Sequence, residues 1–312
     1  MAPTPLQLKF RTSDTGGDLD LHPDPSDLHA CKRSLILLIH GFNSSITAST
    51  QAYEAFIALQ EELAGEDSSG DFAPDSQIVE IFWKGDDWGV LSALYYPNAI
   101  PNAVQTGQAL AGLLLSVAAG RGESLQISLV CHSLGARLGL EVVKNLARNP
   151  AVEVGHCVFF AAAAATFMLE DPAEPHGLRA ALDSILAESR SLYSGHDMVL
   201  ALAFPPGQTI ATGHEGVFPT ALGHQIWAAT SPVPSLTQFE NRGAGHSDYW
   251  GSHRKHRDCE QFAGQQAREV LGFSMGAPRQ TVVRAIPDRD TADEPILPDR
   301  SIPDRSTASR AA

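Results

Sequence analysis

Ser133 lies in the run Leu129-Val130-Cys131-His132-Ser133-Leu134-Gly135-Ala136. The apolar stretch Leu125 to Cys131 ends there, and the helix-compatible stretch Leu134 to Ala147 begins directly after it. A strand that enters a helix through so tight a turn forces the central side chain onto the rim of its sheet. The backbone N–H of the next residue, Leu134, is then free to donate to an oxyanion. A serine held in this way is a nucleophile once a neighbouring base takes its proton. The spacing departs from G-x-S-x-G at one point, where Cys131 stands in place of the first glycine. Cysteine is small enough for the turn to close. The competing reading is an ordinary buried strand-to-helix turn that happens to contain a serine.

A second segment supplies the context such a serine needs. Ser34 to Ile39 is a short continuous apolar run, expected of a strand buried on both faces, and it ends in His40-Gly41-Phe42-Asn43. A glycine at that point lets the chain turn off the sheet and bring backbone donors beside the serine, with the Phe42 N–H as the candidate partner of Leu134. Preorganised donors of this kind meet the charge of a tetrahedral intermediate. His40 itself is read as shaping the loop. A strand ending in His-Gly, followed later by one ending in His-Ser-x-Gly, resembles the α/β-hydrolase family over roughly residues 33 to 272. The resemblance implies an α/β-hydrolase fold, a mostly parallel sheet with helices on both faces. It also implies that nucleophile, acid and histidine follow one another in that order along the chain.

That order directs the search for the other two groups. Leu192-Tyr193-Ser194-Gly195-His196-Asp197 is a short strand and a glycine turn ending in a carboxylate, which makes Asp197 the candidate acid. Its task would be to hold an imidazole in one tautomer and to stabilise the imidazolium. Asp197 also stands where a helix N-cap would, and the two roles are compatible. Asp171 and Asp183 are rivals in or beside apparent helices. Among 12 histidines, His246 follows the last strand, Leu236 to Glu240, on the glycine-rich loop Gly243-Ala244-Gly245-His246. Its Gly-His-Ser-Asp-Tyr sequence resembles the base-bearing loop of several bacterial α/β hydrolases. His253 and His256 are rivals within a basic surface segment. His214 and His224 precede the last strand and break the order, and His132 reads as a packing residue. No H-x-x-x-H or H-E-x-x-H spacing points to a metal, and the proposed chemistry needs no cofactor.

Strands and helices must alternate to position these groups, and they do. The remaining expected strands are Leu6 to Arg11 at an edge, Gln77 to Trp83, Val154 to Phe160 and Ser191 to Tyr193. The remaining helices are Ala48 to Ala64, Ala103 to Ala119 and Cys259 to Leu271, and Asn149-Pro150 stops the one after Ser133. With 312 residues, 43% of them hydrophobic and 19% charged, the chain can bury one large core, placed at residues 1–273. Residues 274–312, with their repeated Pro-Asp-Arg, have too few large apolar groups to offset ordering entropy and are expected to be disordered. A net charge of −14 argues against nucleic acid and anionic membrane as partners. Four scattered cysteines form neither a disulfide framework nor a zinc site. Met1 to Arg11 has no apolar leader, so a cytoplasmic chain is expected. The longest apolar helical stretch, Ala109 to Ala119, is too short to cross a bilayer.

Two insertions are placed around the pocket. Lys84 to Asn102 carries Trp88, Tyr95 and Tyr96, and Phe204 to Pro234 carries Phe204, Phe218 and Trp227. Aromatic walls suit a small acyl or aromatic ester, although the same rings would also serve to anchor long loops. The expected activity is a serine hydrolase acting on carboxylic esters or thioesters of small molecules. The alternatives are a lipase or acyltransferase using the same groups, or a catalytically silent hydrolase-fold scaffold.

Overall fold

The structure, a computed structural model, describes residues 5–14, 17–24, 26–65, 73–85, 92–147, 149–174, 176–211, 216–231, 233–252 and 256–273. The tail for which disorder is expected, 274–312, lies outside the described residues, as do Trp88, His214 and His253.

Seven strands form one parallel sheet in the order β1-β3-β2-β4-β5-β6-β7. They are β1 (Leu6–Phe10), β2 (Ser34–Ile39), β3 (Ser76–Trp83), β4 (Leu125–His132), β5 (Val152–Phe160), β6 (Ser189–Tyr193) and β7 (Leu236–Glu240). The helices are α1 (Ser26–His29), α2 (Ile46–Ala64), α3 (Ser92–Arg121), α4 (Gly135–Leu146), α5 (Arg179–Asp183), α6 (Phe204–Ile210) and α7 (Arg257–Leu271). Packing divides them between two layers. Helices α2 and α7 touch each other and one face of the sheet, whereas α3, α4, α5 and α6 form a connected layer. With both faces covered, the central strands carry apolar side chains on either side. Leu35, Leu37, Leu38 and Ile39 of β2 and Leu129, Val130 and Cys131 of β4 are wholly buried.

Helix α3 departs from expectation. It begins at Ser92 and runs through Pro97 and Pro101, although two prolines in a window predict a loop. Burial holds it together: Tyr96, Ala99, Ile100 and Ala103 all pack into the core. The early start also overturns the length argument about membranes. Tyr96–Arg121 is long and apolar enough to cross a bilayer by length and composition. Its Leu110, Leu114 and Val117 are fully buried, and the helix packs against α4. Gly107 makes that approach close, since a side-chain carbon there would lie 2.7 Å from Glu141 Cβ.

Candidate active site

All strands point the same way, so the ends of β2, β4, β6 and β7 open onto one edge of the sheet, and the four loops that follow them meet there. Ser133 caps β4 with φ 52°, a conformation an L-residue adopts only under constraint. Its neighbours supply the constraint. The Ser133 N–H donates to Phe160 C=O at 3.0 Å, and its own C=O accepts from the N–H groups of Ala136 and Ala163, both at 3.0 Å. The turn also requires small residues. A side-chain carbon on Gly135 would meet Ile39 C=O at 2.8 Å, and one on Gly139 would lie 2.5 Å from Cys131 Sγ. Cys131 therefore fits in place of the glycine of the G-x-S-x-G pattern because Gly139, one turn into α4, leaves room for its sulfur.

The structure brings three of the predicted residues together in a line. His246 Nε2 is 2.8 Å from Ser133 Oγ, and His246 Nδ1 is 2.7 Å from Asp197 Oδ2. Asp197 is fully buried, and its Oδ1 accepts the Leu200 N–H at 3.0 Å, so the carboxylate also caps the turn that follows. An imidazole between a hydroxyl and a buried carboxylate can take the hydroxyl proton while its other nitrogen stays protonated.

Two contacts hold the histidine loop. Ser194 Oγ donates to Ala244 C=O at 2.7 Å, tying it to the acid loop. His132 Nε2 is 2.7 Å from His246 C=O, so this nitrogen carries the proton and donates. His132 thus does more than pack: it anchors the loop that presents His246. Its adjacency to Ser133 was the one signal in the sequence. Burial pushes the His132 pKa down to about 3, with the neighbouring His246 adding to the effect. His40 is likewise pushed to about 3 by burial. It shapes the loop after β2, with Nδ1 donating to Gly41 C=O at 2.8 Å and Nε2 accepting the Trp83 N–H at 3.2 Å.

Beside the serine, the Phe42 and Leu134 N–H groups donate to no protein acceptor among the described residues. Gly41 serves there through close approach, since an added carbon would lie 2.8 Å from Ser133 Cβ. The positive φ of this loop falls instead on Asn43, at 59°, whose N–H donates to Gly85 C=O.

A pocket of about 350 Å³ opens over the serine, lined by Phe42, Tyr96, Leu200 and Phe204, with Asn43, Ser44 and Ser247 as polar groups. Tyr96 stands edge-on to Phe42 at 5.3 Å and to Phe204 at 6.4 Å. Of the other aromatics assigned to the pocket, Trp88 and the Tyr95 side chain lie outside the described residues. Phe218 is exposed, and Trp227 is buried elsewhere with Nε1 donating to Glu170. The π-helical turn Val199–Ala203, which supplies part of the wall, was not foreseen. Among the rivals, Asp183 pairs with Arg179 at 3.0 Å, and the half-exposed His256 faces Asp248 at 3.8 Å. Among the described residues no three His, Cys, Asp or Glu side chains converge as a metal site.

A serine on a strained turn after a central parallel strand, with a carboxylate after β6 and a histidine after β7, decides the architecture. The fold is that of the α/β hydrolases. No family model matches the chain, and no curated protein matches it either. Among solved structures it is similar to the RedJ thioesterase of the prodiginine pathway in Streptomyces coelicolor, with 11% identity and a TM-score of 0.40. That match spans 76% of this chain and 87% of the other. It is also similar to MenH from S. aureus, with 12% identity and a TM-score of 0.36, over 77% of this chain and 94% of the other. Strand order and the turn at Ser133 carry the hydrolase fold.

Proposed function

We propose that the protein is a serine hydrolase that cleaves carboxylic esters or thioesters of small molecules. Ser133 Oγ attacks the acyl carbon as its proton passes to His246 Nε2. Asp197 keeps the ring in the accepting tautomer and stabilises the imidazolium. The carbonyl oxygen gains the negative charge and is met by the Phe42 and Leu134 N–H groups. Collapse of the tetrahedral adduct breaks the bond to the alcohol or thiol, which leaves with the proton from His246. Water then attacks the acyl-enzyme by the same route and restores Ser133. The observation that carries this reading is His246 bridging the Ser133 hydroxyl and a fully buried carboxylate, with both hydrogen bonds under 3 Å.

A fluorophosphonate probe followed by peptide mapping tests it. Labelling should fall on Ser133 and vanish in Ser133→Ala and His246→Ala. Each variant should lose about 10³-fold or more in nitrophenyl acetate turnover, since such groups act as a unit. A folded protein that neither takes the label nor turns over ester would refute the proposal and favour the silent scaffold.

A further inference from the structure

Beyond Asp197 the chain all but loses its charges. From Met198 to Pro234 the only Asp, Glu, Lys or Arg is Glu215, whereas these types make up 19% of the whole sequence. The beginning of this stretch is one wall of the pocket, lined by Val199, Leu200, Ala203 and Phe204. The wide π-helical turn from Val199 to Ala203 divides the side chains between two directions. Leu200 and Phe204 pack inward, each 2% exposed, while Met198, Val199 and Leu202 stand in solvent at 61%, 46% and 66%.

Val199 and Ala203 belong to both surfaces: they line the pocket and are themselves exposed. The apolar surface is therefore continuous from the serine's cavity to the outside, where Met198 and Leu202 extend it. Large apolar groups grouped at a cavity mouth mark a ligand groove more often than scattered surface residues do. At about 350 Å³ the cavity is near the small end of the range for small-molecule sites. A long acyl chain together with the leaving group would overrun it, and the uncharged exit past Val199 and Ala203 is where the tail would go.

We propose that the acyl chain of the substrate leaves the pocket across the rim formed by Met198, Val199, Leu202 and Ala203, and that the preferred esters carry medium or long straight acyl chains. This rests on the ester-cleaving reading above. It replaces the small acyl group expected from the loop aromatics, of which Tyr96 and Phe204 are seen in the pocket wall among the described residues. The occupant is the substrate's own chain because the rim is an extension of the cavity that holds the reacting carbonyl.

The test is kcat/KM for nitrophenyl esters from acetate to dodecanoate, kept below micelle-forming concentrations, for wild type and a Met198→Gln, Leu202→Gln double variant. A chain half-buried on the rim should raise wild-type kcat/KM by about twofold per methylene beyond butyrate. In the double variant the ratio of dodecanoate to acetate kcat/KM should fall about tenfold, a ratio that cancels any loss of folded protein. A wild-type profile that declines beyond butyrate, or a ratio unmoved within about twofold, would overturn the proposal. A second arm does not depend on turnover. Ser133→Ala protein should bind dodecanoate, and adding the two rim substitutions should weaken binding by about tenfold. Loss of all ester cleavage and probe labelling with rim-dependent binding intact would sink the catalytic reading, and the ester preference with it, and leave the rim only as a groove for an acyl chain. Dimerisation that the rim substitutions abolish, with no effect on dodecanoate binding, would put a second copy on this face and refute it.

Discussion

Replacing Asp197 with asparagine exchanges one oxygen for an NH₂ group and preserves the shape of the side chain. The site leaves that amide one acceptable orientation. Oδ1 already receives the Leu200 N–H at 3.0 Å, so the amide oxygen must remain there, and the nitrogen must face His246 Nδ1, where Oδ2 stands at 2.7 Å. The reverse orientation would set two donors against each other in a fully buried position, at a cost of about 1–3 kcal/mol. Facing an amide donor, His246 Nδ1 gives up its proton and becomes an acceptor. The ring proton then lies on Nε2, which points at Ser133 Oγ from 2.8 Å with no lone pair to offer. The imidazolium of the transition state also loses its counter-charge. Together these effects should lower kcat about 10⁴-fold, or roughly 5.5 kcal/mol of barrier. KM should stay within a few fold, because Asp197 does not line the pocket. Steady-state turnover of nitrophenyl acetate, alongside circular dichroism to establish folding, measures the loss. A folded Asp197→Asn protein retaining more than about a tenth of wild-type kcat would show that Asp197 does not set the tautomer, and the mechanism would need another orienting group.

Gly41→Ala should cost at least about 10²-fold in kcat, because the new carbon would sit 2.8 Å from Ser133 Cβ and displace the loop that carries the Phe42 N–H. Near wild-type turnover would mean that this loop is no part of the oxyanion site. His132 is held neutral in the folded state with its pKa pushed to about 3, below its ordinary value near 6.5. The unfolded chain therefore binds the extra proton between those two values. Stability should fall as pH drops through 6.5 towards 3, by about 1.4 kcal/mol per pH unit for this residue. Urea unfolding at pH 7, 6 and 5 should show that contribution missing in His132→Gln, and an equal slope in the two proteins would contradict the assigned burial. Burial raises the pKa of all four thiols, but Cys31, Cys131 and Cys157 are buried and Cys259 is partly accessible, so Cys259 should be the first to react with a disulfide reagent. Modification of Cys131 before unfolding would show that the turn opens.

How much could be read from the sequence follows from the sheet. Parallel pairing sets Ile39 beside Cys131 and His132 beside Phe160. Phe160 in turn stands beside Leu192, and Leu192 beside Phe239. This row marks the edge where the strands end. Ser133 is the next residue beyond it on β4, and Phe42, Asp197 and His246 follow a few residues beyond their own strands. β2 and β4 are recognisable as short apolar runs, whereas β6 and β7 mix polar and apolar residues and are marked chiefly by the glycine-containing turns that follow them. A parallel sheet thus converts position along the chain into position along one rim, and a residue placed relative to a strand end is placed in space.

The walls of the pocket obey no such rule. Tyr96 reaches the site because α3 continues through Pro97 and Pro101, and what sustains that continuation is burial of Tyr96, Ala99 and Ile100, which a local reading cannot see. Trp227 and Phe204 belong to one charge-poor stretch with the same aromatic character, yet Glu170 captures the first and the pocket takes the second. Met198 and Leu202 stand in solvent because the turn is π-helical and its inward positions are filled by Leu200 and Phe204. The residues proposed to break the ester bond are therefore fixed by strand ends, and those proposed to choose the ester by helix packing. A change in α3 or in the turn after Asp197 could alter the acyl group accepted without moving Ser133, His246 or Asp197.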